Sequence, residues 1–100
     1  MVIKWSEFSK QNLQDFVNNS KMVSPINYVI SLVEYAKYLT ENPGLGKILC
    51  HINDLEIRQL VFKKHKILYH ISYNQIYIIS VVHSFQDLDK SLKFIKKFFK

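Results

Sequence analysis

The chain is poor in the residues that break or staple a fold. Its 100 residues include two glycines, two prolines and one cysteine. So little glycine and proline excludes a collagen-like, linker-like or low-complexity chain and places most residues in regular structure. The lone cysteine, Cys50, excludes an internal disulfide and argues against a Cys-based zinc site. It suits a reducing compartment, where a single thiol is a small buried hydrophobe. No apolar run approaches the roughly 20 residues that span a bilayer. The opening MVIKWSEFSK lacks the apolar core of a secretion signal. The expectation is a cytoplasmic protein without a membrane partner.

What is present is enough for a core. The chain is 48% hydrophobic and 14% aromatic, which excludes a disordered chain. Its length sets one domain over residues 1–100, burying about two-thirds of the surface its unfolded chain exposes. Acids are scarce, eight against fourteen basic residues, and the imbalance lies in one half. Residues 1–46 balance four lysines with four acids, whereas residues 47–100 carry ten basic residues against four acids and so the whole formal charge of +6. That asymmetry fits an anionic partner, nucleic acid or acidic protein, and fits equally a soluble domain with a lysine-rich tail.

Periodicity divides the chain. Val2 to Trp5 reads as a short strand, and Ser6 can cap a helix running to about Ser20. Ser24 before Pro25 marks a second helix start, since proline loses nothing at the first helical position. Ile26, Val29, Ile30, Val33, Ala36 and Leu39 form its apolar stripe until Pro43 and Gly44 end it. The period then falls to 2. Residues 48–55 fit either a short strand or an ordered loop, and Ile57 to Phe62 reads as a strand. Lys66 to Tyr73 alternates, with Ile67, Tyr69, Ile71 and Tyr73 on one face. Asn74 suits a tight hairpin, and Gln75 to Val82 reads as a central strand that places Tyr77 beside Tyr69 and Tyr73. Leu88 to Lys100 returns to helical spacing, with Leu88, Leu92, Ile95 and Phe99 on one stripe and lysines opposite. Two early helices, a mainly antiparallel sheet and a C-terminal helix make an α+β fold.

The stretch from Asn42 to Asp87 carries a resemblance. Pro43, Gly44 and Gly46 follow the second helix, and Arg58 precedes Leu60-Val61. Lys66-Ile67-Leu68-Tyr69 then fits a K/R-I-x-Y strand, and His83-Ser84-Phe85-Gln86 an H-x-x-R-like closing segment. In this order the chain resembles the RelE/ParE superfamily, the toxins of type II toxin–antitoxin pairs. The resemblance implies a RelE/ParE-like fold, no cofactor, and a small acidic antitoxin joined to the toxin in a hetero-oligomer. It also implies one of two targets. ParE-like members poison DNA gyrase without catalysis of their own, and the Pro-Gly break, Arg58 strand and His83 turn look nearer to that branch. RelE- and YoeB-like members enter the ribosome and cut mRNA. A third possibility is a degenerate member that only binds its antitoxin. Gln86 stands where the motif often has arginine, and no tyrosine, arginine or second histidine follows His83; the latter departure counts against RNA cleavage.

On the nuclease reading, Arg58, the only arginine, would grip the scissile phosphate with its planar fork. His83 would move protons, because imidazole titrates near neutrality. The plainer alternatives are a sheet-edge pairing of Arg58 with Glu56 or Asp54 and a strand-capping role for His83. Lys63, Lys64, His65 and Lys66 form a basic turn that either faces solvent or contacts a nucleic-acid backbone, with Lys47 and Gln86 as further contact candidates. His51 and His70 lack metal-site spacing, so no metal is expected. The Leu88/Leu92/Ile95/Phe99 stripe either covers the sheet or receives an antitoxin segment. Membrane-surface binding by this lysine-rich helix is a weaker third reading.

Overall fold

The structure is a computed structural model, and it describes residues 1–84 together with Leu92, Lys93, Ile95 and Lys96. Strand β1 (Val2–Trp5) leads into helices α1 (Glu7–Asn19) and α2 (Pro25–Ala36). Two 3-10 turns, Lys37–Thr40 and Pro43–Leu45, connect α2 to strands β2 (Lys47–Ile52), β3 (Leu55–Phe62), β4 (His65–Ser72) and β5 (Gln75–His83). The sheet order is β1-β5-β4-β3-β2, with β1 parallel to β5 and the other pairs antiparallel. The architecture is α+β, as its pattern of periods predicts.

Local chemistry sets the boundaries. Ser6 caps α1 by accepting the Ser9 amide at 2.9 Å, while its hydroxyl donates to the Ile79 carbonyl at 2.7 Å. One serine therefore both starts a helix and ties it to β5. Ser24 stands at the cap of α2 with Pro25 behind it, but its side chain makes no capping bond. The helix gives way to a 3-10 turn after Ala36, short of the expected Leu39, and Thr40 closes that turn on the Lys37 carbonyl at 2.7 Å.

Other expectations need correction, and one open choice is decided. The buried face of α2 is Tyr28, Leu32 and Ala36, whereas Ile26 is 60% exposed and Ile30 54%. Two apolar stripes overlap on this helix, and the one carrying the aromatic ring fills the seat on the sheet. Residues 47–52, mostly within the ambiguous segment, form β2 because the Asn53–Asp54 turn, with φ of 49° and 67°, folds them back onto β3. Tyr73 leaves β4 for a turn, where it takes the positive φ of 55° itself and is fully exposed. Tyr69 and Tyr77 pack on opposite sides of the sheet.

The sheet is covered twice. On one face Tyr28, Leu32, Ala36 and Leu39 pack on Leu60, Ile67, Tyr69, Ile76, Ile78 and Val81. On the other, Ile52, Ile57, Leu68 and Ile79 pack with Ile95, which is 1% exposed, and Leu92 lies beside them. Burial on both faces explains why β5 is apolar nearly throughout and why the middle of β4, Ile67 to Tyr69, is apolar on both sides. Gln86, Leu88 and Phe99 lie outside the described residues, as does most of the expected C-terminal helix.

Candidate functional site

The candidate residues fall into two separate groups. The first surrounds Arg58 on β3, next to the turn that precedes β2. Its Nε donates to Glu56 Oε1 at 2.7 Å, and its Nη1 donates to the Gly46 carbonyl at 2.7 Å and more distantly to that of Gly44 at 3.5 Å. The side chain is only 19% exposed. Tyr69 completes the arrangement by accepting the Gly46 amide at 2.9 Å and donating to the Pro43 carbonyl at 2.7 Å. Burial pushes the Tyr69 phenol above its ordinary value, against the lowering effects of the Gly46 amide and the Arg58 charge. The group keeps the phenol protonated and the Pro43–Gly46 turn fixed to the helix-covered face.

The second group lies where the β3–β4 turn meets the end of β5. His65 and His83 are register partners, with ring centroids 5.3 Å apart in an edge-on arrangement. The Ser84 amide donates to the Lys64 carbonyl at 2.7 Å and joins the turn to the strand end. From α2, the Tyr28 hydroxyl reaches His65 Nδ1 at 2.8 Å and accepts the Lys64 amide at 3.3 Å. From α1, Phe16 stands edge-on to the His65 ring at 4.8 Å, and Asn12 accepts the Val81 amide at 3.0 Å. A cleft of about 280 Å³ opens between Asn12, Asp15, Phe16, Tyr28, His65 and His83. His65 is 7% exposed. Burial, and secondarily the His83 charge, hold its imidazole below the ordinary value, so it is neutral near pH 7.

The lysines divide around this end. Lys63 and Lys64 occupy the turn, Lys63 Nζ lying 5.4 Å from the Phe62 ring and 6.0 Å from that of Tyr28. Lys66 shares the Leu68 face, away from His65, between Val61 and Val82. Lys47 begins β2 opposite Gln59.

Arg58 and His83 are not brought together. Arg58 pairs with Tyr69 on β4 while His83 pairs with His65, four residues along that strand. At strand spacings that is about 13 Å lengthwise and about 10 Å across. No single phosphate bridges such a gap, so the two residues do not form one catalytic centre. Tyr28, Asn12 and Asp15 line the candidate cleft, and sequence reasoning missed them. Nothing local marks Tyr28 and Asn12, because each bonds to a strand far along the chain. Among the described residues no three His, Cys, Asp or Glu side chains converge to hold a metal, and no helix is long and apolar enough to cross a membrane.

No protein-family model and no curated protein matches the chain. Among solved structures it is similar to a chain in the crystal structure of the toxin–antitoxin complex RelBE2 from Mycobacterium tuberculosis. The match has a TM-score of 0.60 and 18% identity, and it covers 82% of this chain and 95% of that one. Identity that low establishes a shared fold, one that encompasses nearly all of the other chain.

Proposed function

We propose that this chain is the toxin half of a toxin–antitoxin pair, acting in the cytoplasm and neutralised by a small acidic antitoxin. The observation that carries this reading is the fold likeness to a chain of the RelBE2 complex, which spans 95% of that chain. The +6 charge, confined to residues 47–100, supports an anionic partner and an anionic target.

Of the two targets that the resemblance implies, mRNA on the ribosome fits better than gyrase. The similar structure is the RelBE2 toxin–antitoxin complex, whereas the ParE-like preference rests on the sequence resemblance alone. In an endoribonuclease of this kind the ribose 2′-oxygen attacks the adjacent phosphate, so the enzyme supplies proton transfer and positive charge. His83 is the candidate for proton transfer, and Lys63 and Lys64 on the adjoining turn are candidates for phosphate contact. Arg58 then acts at a distance, by holding the Pro43–Gly46 turn through two carbonyls.

Pulse-labelling of protein and DNA synthesis minutes after induction, with and without the neighbouring gene, tests the reading. Early loss of translation, reversed by a co-purifying neighbour product, is the expected result. Early loss of DNA synthesis would return gyrase to first place. Unimpaired growth would leave a protein that at most binds an antitoxin.

A further inference from the structure

The contact between Tyr28 and His65 is short and buried. Tyr28 has one proton to donate, and its oxygen accepts the Lys64 amide at 3.3 Å. Two acceptors compete for that proton, His65 Nδ1 at 2.8 Å and the Phe62 carbonyl at 3.5 Å. The 2.8 Å contact is compatible with either direction, set by the His65 tautomer. In a cationic His65 both ring nitrogens are donors, so Nδ1 donates to Tyr28 and the phenol proton is left with the long contact to Phe62.

Charge on His65 is opposed from several sides. His83 on β5 stands 5.3 Å away, and Lys63 and Lys64 belong to the turn that precedes the ring's strand. From α1, Asp15 is the one carboxylate lining the cleft among the described residues, and it already accepts a hydrogen bond from Gln11 Nε2 at 2.8 Å. From α2 only the neutral Tyr28 faces the ring. The ring is also wedged against Phe16 at 4.8 Å and Tyr28 at 5.4 Å, the two aromatics that seat α1 and α2 here.

We propose that Tyr28, His65 and His83 form a pH-sensitive latch that holds the α1–α2 hairpin on the sheet near neutral pH and loosens it in acid. The direction of the His65 shift agrees, its imidazole lying below the ordinary value of 6.5 through burial and the His83 charge. The sign follows from linkage. Between the depressed pKa of the closed state and about 6.5, an opened His65 binds the proton that the closed one refuses. Acid in that window therefore favours opening, by roughly tenfold for each pKa unit of depression. The latch does not depend on the toxin reading.

Hydrogen exchange of the full chain at pH 7.5 and 5.5, corrected for intrinsic exchange chemistry, tests it. The expected result is a several-fold or greater loss of protection at pH 5.5 in residues 7–36, exceeding any loss in β3 and β4. His65→Gln should abolish most of that difference, whereas His70→Gln, altering the other buried histidine, should leave it in place. Should His65→Gln fail to fold, His83→Gln offers a second test, because removing the neighbouring charge should raise the His65 pKa as followed by imidazole NMR. Protection of residues 7–36 that is the same at both pH values in the wild type overturns the proposal. So does a His65→Gln chain that keeps the full difference.

Discussion

The Tyr69 hydroxyl accepts the amide of Gly46 at 2.9 Å. This contact fixes the backbone between α2 and β2 to the middle of the sheet. Gly46 is buried there, and a Cβ at its position would lie 2.7 Å from the Tyr69 ring and 2.7 Å from the Gln59 carbonyl. Gly46→Ala should therefore cost about 1–3 kcal/mol through overpacking. Tyr69→Phe strands the Gly46 amide and the Pro43 carbonyl and should cost about 1–3 kcal/mol as well. Urea denaturation of both variants checks the pair. A Gly46→Ala chain as stable as the parent would mean that the turn is not held in this position.

Arg58 belongs to the same structure. Its bonds to Glu56 and to the Gly46 carbonyl, both 2.7 Å, are charge-assisted and largely shielded from water. Arg58→Ala should lower stability by about 1–3 kcal/mol, and Arg58→Lys should recover little of it, since an ammonium cannot reproduce the fork. Thermal melts of the three chains decide between a structural and a purely target-binding arginine. Unchanged stability in Arg58→Ala would restore the phosphate-contact reading.

Ser6 offers a cleaner test of a single cap. Its hydroxyl accepts from Ser9 and donates to Ile79, so it joins α1 to β5 as well as starting the helix. Ser6→Ala should cost about 1 kcal/mol for the cap alone, with more for the stranded carbonyl. Ser24→Ala should cost much less, because Ser24 makes no capping bond. Equal losses in the two variants would contradict the geometry.

Stability should depend on pH through two buried histidines. Burial lowers the pKa of both His65 and His70, with the His83 charge adding to the first and a backbone hydrogen bond at Ile71 opposing the second. A depressed imidazole leaves the folded state refusing a proton that the unfolded chain accepts. Stability is thus complete above about pH 6.5 and falls as acid approaches the folded-state values. Denaturation midpoints at pH 7.5 and 5.5 should show the lower value in acid, and His70→Gln should narrow the gap. A midpoint that rises on acidification would refute the assigned direction.

Boundaries set by local chemistry were legible in the sequence. Ser6, Pro25 and Pro43 mark where the backbone changes state, and the near-continuous apolar run of Gln75 to Val82 marks a strand buried on both faces. The facing of α2 was not legible, because Ile26/Ile30 and Tyr28/Leu32 give competing stripes and only the sheet selects between them. Nor was the parallel pairing of β1 with β5, which joins Val2 to Gln75 with no local signal. At the candidate site, Glu56 was a visible partner for Arg58 because residues two apart on a strand share a face. The Gly46 carbonyl was not, and neither was Tyr28, whose bond to His65 spans 37 positions. Sequence reading placed Arg58 and His83 in one reaction because both carry suitable chemistry, and only strand register separates them.

That separation makes the last prediction specific. If the chain cuts mRNA, chemistry centres on the end of β5, where His83 adjoins the Lys63–Lys64 turn. His83→Ala should then reduce cleavage by about 10²–10⁴-fold, the usual contribution of a positioned acid–base group. It should leave the chain folded, since His83 is only partly buried. Lys63→Ala with Lys64→Ala should weaken RNA association and flatten its dependence on salt by about 0.7 in log–log slope for each phosphate no longer neutralised. Any effect of Arg58→Ala should instead track its fall in stability and shrink under conditions where the variant is fully folded. Cleavage of a ribosome-bound message by purified variants separates these outcomes. A folded His83→Ala chain with parental activity would move the chemistry away from this end of the sheet.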